Sequence, residues 1–216
     1  MPVIDPPFNF PFQQMTTYPH VDAAPPSVPF RSCCVCGGSP CKCPKIHDLN
    51  LNFNYAPMID FAAIAENQLK WDKRYLSLAE FVAQWSKDPS TKTGAVICDP
   101  SKRIISLGYN GFPIGVDDSP ERLNNREVKY QMIVHCERNA IIFARQNLEG
   151  CTLYTWPFAS CSACAGMVIQ TGIKRVVYPK LTDPGLIERW GKSLELTYQM
   201  FDEAGLERVE IEVEKK

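Results

Sequence analysis

The chain has 216 residues, 45% of them hydrophobic and 22% charged, enough for one well-buried domain plus an appendage. Its 23 basic side chains nearly cancel its 24 acidic ones, which argues against a long polyanion such as nucleic acid as partner. No apolar run approaches a membrane span, the start MPVIDPPFNFPF lacks the basic region of a signal peptide, and ten cysteines are too sparse for a small disulfide scaffold, so a cytoplasmic protein with reduced, metal-binding cysteines is expected.

Composition divides the chain near residue 60. Residues 1–60 hold 11 of the 18 prolines and only 7 charged side chains; residues 61–216 carry 20 basic and 20 acidic ones. The first segment therefore reads as an irregular Pro/Cys-rich extension, with a Phe- and Pro-rich arm that would pack on something else. It ends in a cluster, Cys33, Cys34, Cys36, Cys41, Cys43 and His47, among turn-forming Gly37, Gly38 and Pro40. Cys33, Cys36, Cys41, Cys43 and His47 offer ligands for a structural Zn²⁺ that would staple the extension, although the spacing matches no standard finger and loose reduced thiols are the competing reading.

From about residue 68 the pattern is that of an α/β domain. Trp71, Tyr75, Leu78, Val82 and Trp85 fall at helical spacing and stop at Ser86-Lys87-Asp88-Pro89. Ala95–Cys98 and Arg103–Leu107 flank the turn Asp99-Pro100-Ser101-Lys102 and predict a hairpin. A loop, Gly108 to Pro113, and a polar stretch lead to a helix starting near His135. A strand (Cys151–Trp156), a helix (Cys161–Gln170) and a strand (Lys174–Tyr178) follow. Leu194, Tyr198 and Phe201 mark a last helix and Val209–Val213 an edge strand. Such alternation predicts a sheet covered by helices.

Two helix starts carry the chemistry, His135-Cys136-Glu137 and Ser160-Cys161-Ser162-Ala163-Cys164. Imidazole nitrogen and thiolate sulfur suit Zn²⁺, and three protein ligands leave a fourth position for water, the mark of a catalytic site. Cys161 and Cys164 are three apart, so on a helix they share a face, and a helix N-terminus favours thiolate. Glu137, two residues beyond His135, would sit beside the bound water as proton shuttle without ligating.

This H-x-E with a later C-x-x-C resembles the zinc nucleobase and nucleotide deaminases, whose pattern is H-x-E followed by P-C-x-x-C. Ser160 stands where that pattern has proline, and could cap the helix instead. With Ser86-Lys87-Asp88-Pro89, Thr93-Gly94-Ala95 and Gly108-Tyr109-Asn110-Gly111-Phe112-Pro113 upstream, residues 68–206 look like a deoxycytidylate (dCMP) deaminase. The resemblance implies a three-layer α/β/α domain with a mixed sheet over 61–216, zinc held by His135, Cys161 and Cys164, and Glu137 as general acid/base. It implies hydrolysis of dCMP to dUMP and ammonia by a zinc-bound hydroxide, a homo-oligomer that is commonly a hexamer, and regulation by dCTP and dTTP, with Mg²⁺ accompanying such an effector. The loop residues Gly108, Tyr109, Asn110 and Gly111 would touch substrate or effector nucleotide; by spacing alone Asn110-Gly111 is an ordinary turn.

A substrate phosphate needs a cation, and Lys87, Lys92, Arg122, Arg126, Lys129, Arg138 and Arg145 are candidates that sequence does not separate. Competing readings are a deaminase of another nucleotide or base, such as dCTP or tRNA adenosine, and a noncatalytic zinc-stabilised binding module. Balanced charge argues against tRNA, and the binding module requires a fourth protein ligand closing the site.

Overall fold

The structure is a computed structural model that describes residues 60–213, so the Pro/Phe-rich arm and the Cys33, Cys36, Cys41, Cys43 and His47 cluster lie outside the described residues. Among the described residues, five strands and six helices follow in the order α1 (Phe61–Ala83), β1 (Gly94–Cys98), β2 (Ile104–Tyr109), α2 (Pro120–Asn124), α3 (Arg126–Met132), α4 (Cys136–Ala144), β3 (Thr152–Trp156), α5 (Ser162–Gln170), β4 (Arg175–Pro179), α6 (Pro184–Glu203) and β5 (Glu207–Ile211).

The strands form one mixed sheet ordered β2-β1-β3-β4-β5. β1 pairs antiparallel with both β2 and β3, whereas β3 with β4 and β4 with β5 run parallel, each linked by a crossover helix. All five residues of β1 are buried, because alternate side chains enter two cores. Ala95 and Ile97 pack with Ala140 of α4, Val168 of α5 and Phe201 of α6. Val96 and Cys98 face Tyr75, Leu76 and Ala79 of α1 on the other side. The result is the expected three-layer arrangement, with α1 on one face and α4, α5 and α6 on the other. No helix among the described residues is long and apolar enough to cross a membrane.

Several boundaries differ from the expectation for local physical reasons. α1 starts at Phe61, where the Asp60 carboxylate caps it by accepting the Ala63 N–H at 3.1 Å. Its first turns are exposed, so no apolar stripe announces them, and Trp85 lies beyond its end at 49% exposure. α2 and α3 arise inside the polar stretch: only Leu123 and Lys129 are buried there, too few for a period. β5 is displaced two residues toward the N-terminus of the expected edge strand.

A buried ionic knot fastens α1 to the sheet. Asp72, 1% exposed, takes both Arg175 guanidinium nitrogens at 2.8 Å, and accepts further bonds from Tyr154 Oη and Gln68 Nε2 at 2.9 Å each. Asp72→Ala would leave Tyr154 without its partner and Arg175 with Glu207 alone, at 3.0 Å on the exposed side, and breaking such a buried pair costs about 3–5 kcal/mol. Urea denaturation should show a loss of that size with the slope unchanged.

Candidate active site

Two helix N-termini meet at one end of the sheet. His135 is the N-cap residue of α4 and Cys161 that of α5, both in extended backbone, so each side chain stands free just ahead of its helix. Cys164 follows one turn into α5 and is fully buried. His135 Nδ1 lies 3.3 Å from Cys161 Sγ and 3.4 Å from Cys164 Sγ, and the three donor atoms fall within 4.8 Å of one another. Zn–S and Zn–N bonds of about 2.3 and 2.05 Å in a tetrahedron put sulfur and nitrogen roughly 3.6 Å apart, so the trio fits zinc with little adjustment.

The protonation chemistry of the trio fits as well. The Cys161 thiol is pushed down to about 4, foremost by the hydrogen bond from Cys164 and then by His135, against the cost of burial. Cys164 is pushed up by the same bond and by desolvation, and His135 is raised by its bond to Cys161. A divalent cation among these donors would hold both thiols as thiolates. Among the described residues no fourth His, Cys, Asp or Glu joins the group, which leaves the closed binding module without its fourth protein ligand.

Glu137 sits in the first turn of α4, 5% exposed, outside the donor trio and lining the same cleft as His135 and Cys161. A carboxylate held there without ligating can take and give a proton. Cys136 between them is buried in the core under α4, its thiol pushed up by desolvation. Trp156, Phe158 and Trp190 wall the cleft with flat apolar surface. Trp190 stands edge-on to His135 at 6.3 Å between centroids and leans on Phe158 at 5.7 Å, and its indole N–H is buried without a hydrogen-bond partner among the described residues.

The loop Gly108 to Gly111 divides into different tasks. Asn110 lines the cleft, but its amide is engaged: Oδ1 accepts the Thr93 N–H at 2.8 Å, and Nδ2 donates to the Thr91 carbonyl at 3.0 Å and to Asp88 Oδ2 at 3.2 Å. Both amide protons are spent on shaping the 88–93 loop. Gly108, Tyr109 and Gly111 do not line the cleft. Gly108 instead lets α4 rest on β2, since a Cβ there would meet Cys136 O at 2.2 Å and Ala140 N at 2.5 Å. Ser160 is not the cap of α5 either. Cys161 occupies the cap position, Ser193 Oγ accepts the Ser162 N–H at 3.0 Å, and the buried Ser160 hydroxyl has no partner among the described residues.

Of the seven cations considered from sequence, only Lys129 lines the cleft, joined by Arg189, which the sequence reading passed over. Lys87 pairs with Asp118 at 2.7 Å on the surface, Arg122 lies near Asp117, and Arg138 donates to the Ala163 carbonyl. Arg189 and Trp190 escaped because the buried residues of α6 lie in its second half, at Leu194, Thr197 and Phe201. The available signal was Asp183-Pro184, an N-cap followed by proline at the first helical position, which starts the helix early enough to bring both residues to the cleft.

A family model for the cytidine and deoxycytidylate deaminase zinc-binding region matches residues 69–180, just over half of the chain. An uncharacterized deaminase in the luxG 3' region of Aliivibrio fischeri is 46% identical over 138 residues, covering 64% of this chain and 91% of that protein. The probable deoxycytidylate deaminase of Caenorhabditis elegans is 40% identical over 134 residues, and the deoxycytidylate deaminase of Homo sapiens 36% over 119 residues; the matches cover 60% and 52% of this chain and 66% of each relative. Among solved structures, the dCMP deaminase of cyanophage S-TIM5 in complex with dCMP and dUMP superposes with a TM-score of 0.52 at 22% identity, over 66% of this chain and 97% of that one, a likeness of fold.

Proposed function

The chain belongs to the cytidine and deoxycytidylate deaminase zinc-binding family, and on that premise we propose that it hydrolyses dCMP to dUMP and ammonia. One observation carries the proposal: His135, Cys161 and Cys164 bring three zinc donors together, with Glu137 in the same cleft and no fourth protein ligand among the described residues. Zn²⁺ held by these three would supply the Lewis acidity that makes water a nucleophile near neutral pH. Glu137 accepts the water proton and delivers it to N3 of the cytosine as C4 is attacked; it then takes the proton of the new C4 hydroxyl and passes it to the amine, so that ammonia leaves as C4 becomes a carbonyl. Trp156, Phe158 and Trp190 give the base flat surfaces to lie against and keep bulk water from the reacting carbon.

Purified protein loaded with zinc should bleach the cytosine absorbance of dCMP and release one ammonia per nucleotide. Parallel samples with dCTP, cytidine and an adenosine-bearing tRNA identify a different substrate; absence of turnover on dCMP beside turnover on one of these would overturn the proposal.

A homo-oligomer, hexameric by family resemblance, forms part of this proposal. Phe81, Trp85 and Tyr109 support it, exposed aromatic side chains that meet edge to face at 5.9 and 6.0 Å and would gain from burial between copies. Regulation by dCTP and dTTP, with Mg²⁺ accompanying the effector, is proposed from resemblance alone; a structural Zn²⁺ at Cys33, Cys36, Cys41, Cys43 and His47 is proposed from the density of candidate ligands in that stretch. A cytoplasmic setting is supported by the free thiols of Cys98, Cys136, Cys151, Cys161 and Cys164. Nucleotides rather than long nucleic acids are the proposed partners, in keeping with a formal net charge of −1.

A further inference from the structure

A nucleotide substrate differs from a nucleoside by a phosphate monoester, which carries a charge of about −1.5 to −2 at neutral pH. The cleft must then present a cation whose charge is not already spent. Among the described residues, two basic side chains line it, Lys129 and Arg189. Lys129 is committed: its Nζ lies 2.8 Å from Asp88 Oδ1 and 2.9 Å from Ser90 Oγ, and the Lys129 and Asp88 side chains are only 4% and 7% exposed. At that separation the field of the ammonium is cancelled by the carboxylate. Pulling Lys129 toward a ligand would leave Asp88 buried and unpaired, a heavier cost than the new contact returns. Asp88 is further fixed by Asn110 Nδ2 and by the Ser90 N–H at 2.8 Å, so the pair is part of the wall.

Arg189 is differently placed. It is exposed where α6 faces the 88–93 loop, its Nη1 reaches Thr91 Oγ1 at 3.4 Å, and it forms no ion pair among the described residues. Its neighbour Trp190 packs against His135, so a base lying over His135 and Glu137 has Trp190 beside it and the Arg189–Thr91 contact at the rim. A guanidinium presents paired donors matched to phosphate oxygens, and the Thr91 hydroxyl can add another. We infer that Arg189, with the Thr91 hydroxyl, binds the 5'-phosphate of the substrate and sets the preference for nucleotide over nucleoside. This rests on the dCMP reading proposed above.

The test compares dCMP with deoxycytidine in the zinc-loaded full chain. Arg189→Met keeps the apolar stem and removes the charge. It should lower the ratio of kcat/KM for dCMP over deoxycytidine by about tenfold to a hundredfold, chiefly through KM for dCMP, the range expected for losing a hydrogen bond to a charged group. Arg189→Lys should recover part of the ratio, a point charge replacing the fork. Competitive inhibition by dUMP relative to deoxyuridine gives the same ratio without requiring nucleoside turnover. An unchanged ratio in both measurements, or an equal loss for both members of each pair, would overturn the assignment of Arg189. Failure of the wild-type chain to deaminate dCMP would overturn the proposed function itself, so the two failures are distinct.

Discussion

Glu137→Ala is expected to bind zinc as the wild type does and to lose turnover of dCMP by roughly 10²–10⁴-fold, the range supplied by a positioned general acid/base. The expectation follows from where Glu137 stands. It is one residue into α4, buried to 5% exposure, beside but not within the trio of donor atoms formed by His135, Cys161 and Cys164. Removing it therefore takes nothing from the ligand set and leaves the cleft walls in place. Zinc content by elemental analysis, beside single-turnover absorbance on dCMP, separates the two roles. A variant that loses zinc together with activity would make Glu137 part of the metal site, and one that still deaminates at the wild-type rate would remove it from proton transfer. Glu137→Gln sharpens the comparison, because it preserves size and shape and keeps one acceptor oxygen while abolishing the carboxylate's ability to accept a proton.

The contrast between Glu137 and Arg189 shows what a sequence displays and what it hides. His135, Glu137, Cys161 and Cys164 were legible because ligand chemistry restricts both residue type and spacing, and because each motif sits at a helix start that local pattern also marks. β1 and β3 were legible as short runs rich in apolar, β-branched and aromatic residues, since both strands are buried on two faces. Arg189 has no such restriction: one arginine on an exposed helix turn looks like any solvated charge until the helix is laid across the cleft. The pairing of Lys129 with Asp88 spans 41 residues, a separation no local pattern reports. Asn110 was noticed for its turn, but its task of holding Thr91, Thr93 and Asp88 in place depends on contacts 17 to 22 residues away.

Gly108→Ala is the substitution expected to injure stability and catalysis together. Gly108 pairs with Ala95 across the β1–β2 ladder, and a methyl group there would stand 2.2 Å from the Cys136 carbonyl oxygen, 2.5 Å from Ala140 N and 3.0 Å from Ala140 Cα. All three are backbone atoms of α4, so no rotamer change relieves the overlap and the helix itself must move away from β2. Overpacking of this kind costs about 1–3 kcal/mol. Because His135 and Glu137 flank Cys136, the same displacement shifts both the proposed zinc ligand and the proposed proton-transfer carboxylate, and a misplacement of about 1 Å can cost roughly 10²-fold in rate. Urea denaturation and kcat should therefore fall in the same variant. Gly111→Ala is the informative companion: the nearest atom to its added Cβ is Tyr109 Cε2 at 3.9 Å, so near-wild-type stability and activity are expected. The reverse pattern, a harmless Gly108→Ala beside an inactive Gly111→Ala, would mean that the loop serves the nucleotide directly and that close packing of α4 on β2 is not what Gly108 provides.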